Sequence, residues 1–370
     1  MRVDDRTSHA AEDGQLRRSA AGVAAWTLLS RTMGLARLLV IAAVLGPTYL
    51  ANIFQSGYTL PNNVFTIFAG PMVAMVLVPA MVRASAGSDL RAARQTLARV
   101  AGQLLTIAGC AAGALALLSP ALGATLVFGV PEPDHHRAWL LAAVLIWCVA
   151  PQIVLYTLVS LAVAAQQSRG RFALPAGLPA VESVGTIITV LAAGRTIGAG
   201  TDVGAAPLTT VVWLGAASTA SVALHAALQL VGVARVGLLV RPRWGLAGVP
   251  QAGDCVRRMA RSMPVAAAPA ATNYLLAVIA STVPGGALVV QLASQVLYAL
   301  SFVGSRAVSM AALPRLARAA ADQDWARFAG AWRRCLHYAT LAALPWLCLL
   351  LVFAAPAADL RKWVETAIAP

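Results

Sequence analysis

Long apolar runs with no charge in them constrain this chain more than any other feature. Val100–Val130 and Ala138–Ala165 each run about thirty residues without one charged side chain. A helix needs about 20 apolar residues to cross the hydrocarbon core of a bilayer. In lipid every backbone polar group must be satisfied within the structure, so only helices and closed barrels can span. A transmembrane barrel would alternate apolar and polar residues in segments of about ten. No such alternation is present, so the chain reads as all-α, a polytopic transmembrane helical bundle. Composition agrees. Hydrophobic residues make up 59%, charged residues 11%, and mean hydropathy is +0.74. Soluble domains carry about 25% charged residues, and this chain has too few to cover a water-facing surface.

Nine spans are expected, over about 23–46, 53–82, 100–128, 138–165, 173–194, 208–234, 263–283, 286–312 and 336–357. The breaks between them carry turn chemistry, as at Gly46-Pro47, Pro131-Glu132-Pro133-Asp134, Arg169-Gly170-Arg171 and Pro284-Gly285-Gly286. Four segments follow from this division: a polar tail (1–22), a six-helix lobe (23–234), a basic linker (235–262) and a three-helix partial lobe (263–370). The tail is mixed in charge and has no short apolar segment ending in a small-residue cleavage site, so no cleavable leader is expected.

The basic residues set an orientation. There are 28 Lys+Arg against 14 Asp+Glu, and only Lys362 is a lysine. With the N-terminus in the cytoplasm, 21 arginines fall in cytoplasmic segments. Only Arg137, Arg195, Arg361 and Lys362 fall on the other side. Arg31, Arg37 and Arg306 lie within spans. This asymmetry puts the N-terminus inside. It also explains a pI near 10.9 without nucleic acid as a partner. Asp254–Met263 could form a short amphipathic surface helix against anionic headgroups. The segment Asp322–Arg334 reads the same way, with Trp325, Phe328 and Trp332 as interfacial anchors. The alternative for both is an ordinary basic loop.

Charges inside a bilayer each need a reason. Arg31 lies about 12 Å and Arg37 about 21 Å from the cytoplasmic end of the first span, and they are about 120° apart around the helix. Arg37 is too deep to snorkel. Both can border a wide, water-filled cavity, where paired guanidiniums suit phosphate. The alternative is that helix carbonyls or Glu182 satisfy them. Glu182, the one acid in a span, reads as a counter-ion or as a proton or cation site. Salt-bridging distance to either arginine would favour the structural role. Arg306 fits snorkelling, and His225 fits a packed, hydrogen-bonded histidine. In the second span Thr59-Leu60-Pro61-Asn62-Asn63 suggests a broken helix whose two amides line a cavity. The cysteines (Cys110, Cys148, Cys255, Cys335, Cys348) have no disulfide or metal spacing. His135-His136 reads as a solvated loop rather than a metal site. No Walker A, GxSxG or HExxH pattern appears, so neither enzymatic chemistry nor a cofactor is expected.

Ser30-Arg31-Thr32-Met33-Gly34-Leu35-Ala36-Arg37 resembles the first-helix SRxxGxxR signature of the MurJ/MviN family. That family comprises lipid II flippases of the multidrug/oligosaccharidyl-lipid/polysaccharide superfamily. The resemblance continues through Gly46, Leu60-Pro61-Asn62, Ile67-Phe68-Ala69 and Val78-Pro79, with Leu313-Pro314-Arg315-Leu316 similar to a later helix exit. It implies two helical lobes around a central cavity and alternating access without covalent chemistry. It also implies a lipid-linked peptidoglycan precursor as the transported partner, in a bacterial cytoplasmic membrane, with membrane lipids and cell-wall synthesis proteins as neighbours. Arg31, Arg37, Asn62 and Asn63 would bind the pyrophosphate, while Glu182 and Arg306 would serve as counter-ion or coupling residues. The pattern departs from the family at Leu38, Asn52, Phe65, Thr66, Gly70 and Gln295, where the family carries charge. The family has about fourteen helices against the nine expected here. These departures keep two alternatives open: an exporter of another lipid-linked oligosaccharide, and a shortened, non-transporting scaffold.

Overall fold

In the computed structural model the backbone is described over residues 3–84, 90–245, 248–295 and 322–341, with single positions between 316 and 352. Side chains are described at residue 22 and from residue 25 onward within those ranges. Every regular element there is a helix. The chain divides into two units, Met1–Val290 and Gln291–Pro370.

The first unit contains α1 (Val3–Leu45), α2 (Tyr49–Phe68), α3 (Gly70–Ala84), α4 (Leu90–Leu117), α5 (Ser119–Leu126) and α6 (Glu132–Val149). It continues with α7 (Gln152–Ser168), α8 (Ala173–Gly177), α9 (Pro179–Ile197), α10 (Leu208–Arg235) and α11 (Pro250–Ala280). Seven helical stretches among the described residues are long and apolar enough to cross a membrane: Ala25–Leu45, Tyr49–Ala84, Leu90–Leu117, Glu132–Ser168, Ala173–Ile197, Leu208–Arg235 and Pro250–Ala280. They correspond in order to the first seven expected spans. The expected eighth span is described only over 286–295, which is helical, and the ninth only in part. The remainder of both, Arg306 included, lies outside the described residues.

Several boundaries differ from expectation for identifiable reasons. α1 is helical from Val3, so the expected tail continues into the first span. α4 starts ten residues early. Ala93 and Leu97 are buried while Arg91, Arg94 and Gln95 face outward, an amphipathic entry that raw hydropathy passes over. It stops at Leu117 because Pro120 sits in the first turn of α5. Asp254–Met263 is not a separate surface helix. It forms the first turns of α11, which runs on through Pro264 and Pro269. The described non-helical part of the expected linker is therefore 236–245 and 248–249. α2 also does not break at Pro61, which lies inside a continuous helix. The break falls eight residues later, where Ala69 leaves helical geometry and Gly70 adopts φ +36°. A positive φ of this kind strains any residue with a Cβ.

The loops gather at two ends. At one end Gly200 N–H donates to Val44 O, Gly285 N–H to Thr48 O, and the Arg137 guanidinium to Ala206 O. At the other end Arg94 Nε donates to Gly237 O over 2.7 Å, and Arg243 N–H to Ala98 O. This second, basic end also carries Arg91, Arg99, Arg169, Arg171, Arg235 and Arg241.

α2 is the central element. Leu50–Tyr58 are buried on every side. Ile53 and Phe54 join Ile41, Leu45, Leu141, Leu145 and Leu214 in one core cluster. Leu60 and Phe68 join Leu77, Met81, Leu104, Leu161 and Met259 in another. Tyr58 sits where α2 passes from the first to the second.

In the second unit, 325–341 is helical. Trp325 and Trp332 are exposed, and Trp325 meets Phe328 edge-on at 6.0 Å.

Candidate functional site

The deepest described arginine, Arg37 on α1, is held from α2. Its Nη1 donates to Tyr58 Oη over 2.8 Å, and its guanidinium carbon lies 5.0 Å from the Tyr58 ring centre. Tyr58 passes the interaction on, donating to Glu182 Oε1 on α9 over 2.7 Å. Tyr156 on α7 donates to the same oxygen over 2.8 Å. Arg37 Nη1 itself lies 3.9 Å from Glu182 Oε1. The other carboxylate oxygen faces His225 Nδ1 of α10 at 3.4 Å. Five helices therefore converge on one carboxylate. A buried carboxylate needs this many donors, because an unpaired ion away from water is costly.

The string continues toward the basic end. His225 Nε2 meets Gln229 Nε2 at 3.4 Å, and Gln166 Nε2 donates to Gln229 Oε1 over 2.7 Å. Gln166 also lines a cavity of about 490 Å3 with Arg171, Leu174 and Arg235. Local sequence permits the convergence. A Cβ at Gly185 would collide with the Ser221 side chain, so glycine there lets α9 and α10 close on Glu182 and His225.

The site residues expected from sequence separate into two groups. Arg37 and Glu182 come together, and their 3.9 Å separation favours the counter-ion role for Glu182. Arg31, Asn62 and Asn63 are not in the network. Arg31 and Asn62 are exposed and Asn63 is half-buried, and none of their side chains has a polar partner among the described residues. Arg31 lies about 9 Å along α1 from Arg37, and Asn62 about 6 Å along α2 from Tyr58, both toward the basic end. Tyr58, Tyr156, Gln166 and Gln229 are additions that sequence reasoning did not single out. The available signal was a polar side chain inside an apolar span, a test applied to charges and His225 but not to phenols or glutamines. His135 and His136 bond Val130 O and stack on Trp139 respectively. No group of three or more metal-ligating side chains forms among the described residues.

Long apolar helices gathered on a buried arginine–tyrosine–glutamate network define a multi-pass helical membrane protein. Residues 41–360 match the family model described as lipid II flippase MurJ, and the chain belongs to that family. It is 27% identical over 241 residues to the probable lipid II flippase MurJ of Vibrio cholerae, covering 62% of this chain and 43% of that protein. It is 25% identical over 224 residues to the corresponding Haemophilus influenzae protein, covering 59% and 42%. The chain thus spans less than half the length of these curated relatives. A solved lipid II flippase MurJ in an inward closed conformation shares the fold, with a TM-score of 0.62 at 14% identity. That match covers 90% of this chain and 66% of the other. An aspartate-to-asparagine mutant of the Vibrio cholerae MATE transporter VcmN gives a TM-score of 0.52 at 18% identity, covering 96% and 76%.

Proposed function

We propose that this chain works in flipping a lipid-linked peptidoglycan precursor of the lipid II type across a bacterial cytoplasmic membrane, with its N-terminus and basic end in the cytoplasm. The reading rests on family membership and on one observation above all. Arg37 is kept deep in the bundle by Tyr58 and Glu182, while Arg31, Asn62 and Asn63 have no side-chain partner among the described residues and lie a turn or two nearer the basic end.

In this reading the pyrophosphate first meets Arg31 and the two amides. Arg37 then turns from Tyr58 toward the phosphate oxygens, which compete for it as charged acceptors. Glu182 keeps the two phenols and His225, so the carboxylate is not abandoned when Arg37 leaves. The lipid tail stays in the bilayer, no covalent bond changes, and the helices rock to open the far end. Uncharged side chains at Phe65, Thr66 and Gln295 favour a head group that needs fewer cationic contacts, which keeps another lipid-linked oligosaccharide as the second reading.

Complementation of a bacterium depleted of its own lipid II flippase tests this. Survival is expected with the chain, loss with Arg37→Ala, and partial rescue with Arg37→Lys, which keeps charge but not the planar fork. Failure of the unaltered chain at normal membrane levels would remove lipid II as its substrate.

A further inference from the structure

At the basic end, five guanidiniums surround one cavity. Arg91, Arg94 and Arg99 of α4 and Arg241 and Arg243 of the 236–249 connection line a space of about 490 Å3, closed by Gly248 and Val249. No acid is among the described lining residues, and Asp254, the first acid on α11, is not one of them. The cavity is built rather than incidental. Arg94 is fixed to Gly237 O over 2.7 Å, and Arg99 to Trp244 O and Gly245 O. Arg243 N–H is tied to Ala98 O, and the Trp244 indole donates to Thr106 Oγ1 over 2.8 Å. These bonds hold backbone and two arginines, leaving the Arg241 and Arg243 side chains without a hydrogen-bond or ion-pair partner among the described residues. Val249 is also the N-cap of the 31-residue α11 and makes no side-chain cap. The positive end of that helix therefore borders the same space. Trp244, next to Arg243, is 74% exposed, the kind of side chain found at headgroup level.

We propose that this cavity binds the phosphate group of a net-anionic ligand, separately from the Arg37 site and whether or not the chain transports. Guanidiniums match phosphate oxygens two at a time. The Arg241 and Arg243 side chains, with no acid among the described lining residues, leave a charge that a bound phosphate would neutralise. Two sources share this chemistry: the headgroup of an anionic phospholipid such as phosphatidylglycerol in the adjoining leaflet, and a soluble phosphate or pyrophosphate.

Native mass spectrometry of the full chain in detergent distinguishes them. Phosphatidylglycerol, phosphatidylcholine and inorganic pyrophosphate are titrated separately into the unaltered protein, the pair Arg241→Gln/Arg243→Gln, and the control pair Arg169→Gln/Arg171→Gln. Phosphatidylglycerol is expected to bind in preference to phosphatidylcholine. The Arg241/Arg243 pair should weaken it about thirtyfold, at about the surface contribution of one arginine each. The control pair should leave it nearly unchanged. Arg241→Lys/Arg243→Lys should retain part of the affinity. If pyrophosphate alone shows that dependence on Arg241 and Arg243, the phosphate site stands and its source is soluble. Equal binding of both lipids with no response to pyrophosphate overturns the site, as does equal loss in the control pair. Circular dichroism checks that the variants fold, which is expected because the bonds from Arg94, Arg99 and the Arg243 backbone are kept.

Discussion

Two clusters of charge sit in the same bundle under opposite rules. Around Glu182, one carboxylate is enclosed by a guanidinium, two phenols and an imidazole drawn from four other helices. At the basic end, five guanidiniums share a cavity with no acid among its described lining residues. The difference is one of solvent. Inside the bundle an uncompensated ion costs several kcal/mol, so the fold must bring its own partner. At the interface water and lipid headgroups supply the counter-charge, so the fold can leave cations waiting. Pairing therefore marks the interior cluster as structural in its resting state, and the Arg241 and Arg243 side chains, without a partner among the described residues, mark the other as open to a ligand.

The most severe way to break this contrast is Glu182→Leu. It strands Arg37, Tyr58, Tyr156 and His225 together, and should destabilise the fold by about 2–4 kcal/mol. Unfolding by SDS titration or steric trapping would read it. The double variant Arg37→Leu/Glu182→Leu should recover part of the loss, and strict additivity would deny the coupling. Tyr58→Phe comes next, removing one bond given and one received while keeping the ring under Arg37. A cost of about 1–2 kcal/mol is expected by the same measurement. Gln229→Leu cuts the string between His225 and Gln166, and should cost about 0.6 kcal/mol, in line with other interhelical bonds in membranes. The smallest stability effect sharpens the comparison from the other side. Arg241→Gln/Arg243→Gln should stay within about 0.5 kcal/mol. Arg31→Ala should also leave stability unchanged yet impair complementation, since it has no described partner to lose.

Hydropathy and turn residues made the order of the first seven spans legible, because crossing a bilayer demands a length of apolar chain that few other folds require. They did not locate the α2–α3 break. Proline at 61 is the louder signal, but a helix surrounded by neighbours absorbs it, and the backbone turns where Gly70 tolerates φ +36°. Arg31, Arg37 and Glu182 were legible as charges out of place. Their partners were not, because Tyr58 and Glu182 lie 124 residues apart and Glu182 and His225 lie 43 apart. Nothing local in the sequence says which helix faces become neighbours. The Arg91–Arg243 cavity was legible only as scattered cytoplasmic arginines, since the connection that folds 241–243 back onto α4 has no periodicity to read.

Asn52 reaches across 235 residues. Its amide donates to Val283 O over 2.8 Å and accepts from Ala287 N–H over 2.9 Å, while Gly285 N–H reaches Thr48 O. A ribosome adds roughly 5–20 residues per second, so the partner of Asn52 emerges on the order of tens of seconds after it. During that time the start of α2 is already in the membrane with an amide whose two bonds cannot yet form. The bundle is thus assembled under an obligation entered early in synthesis and met only when the turn after α11 arrives. Release of the nascent chain just before residue 287 leaves all seven candidate spans and an open seam where the turn after α11 would have met Asn52.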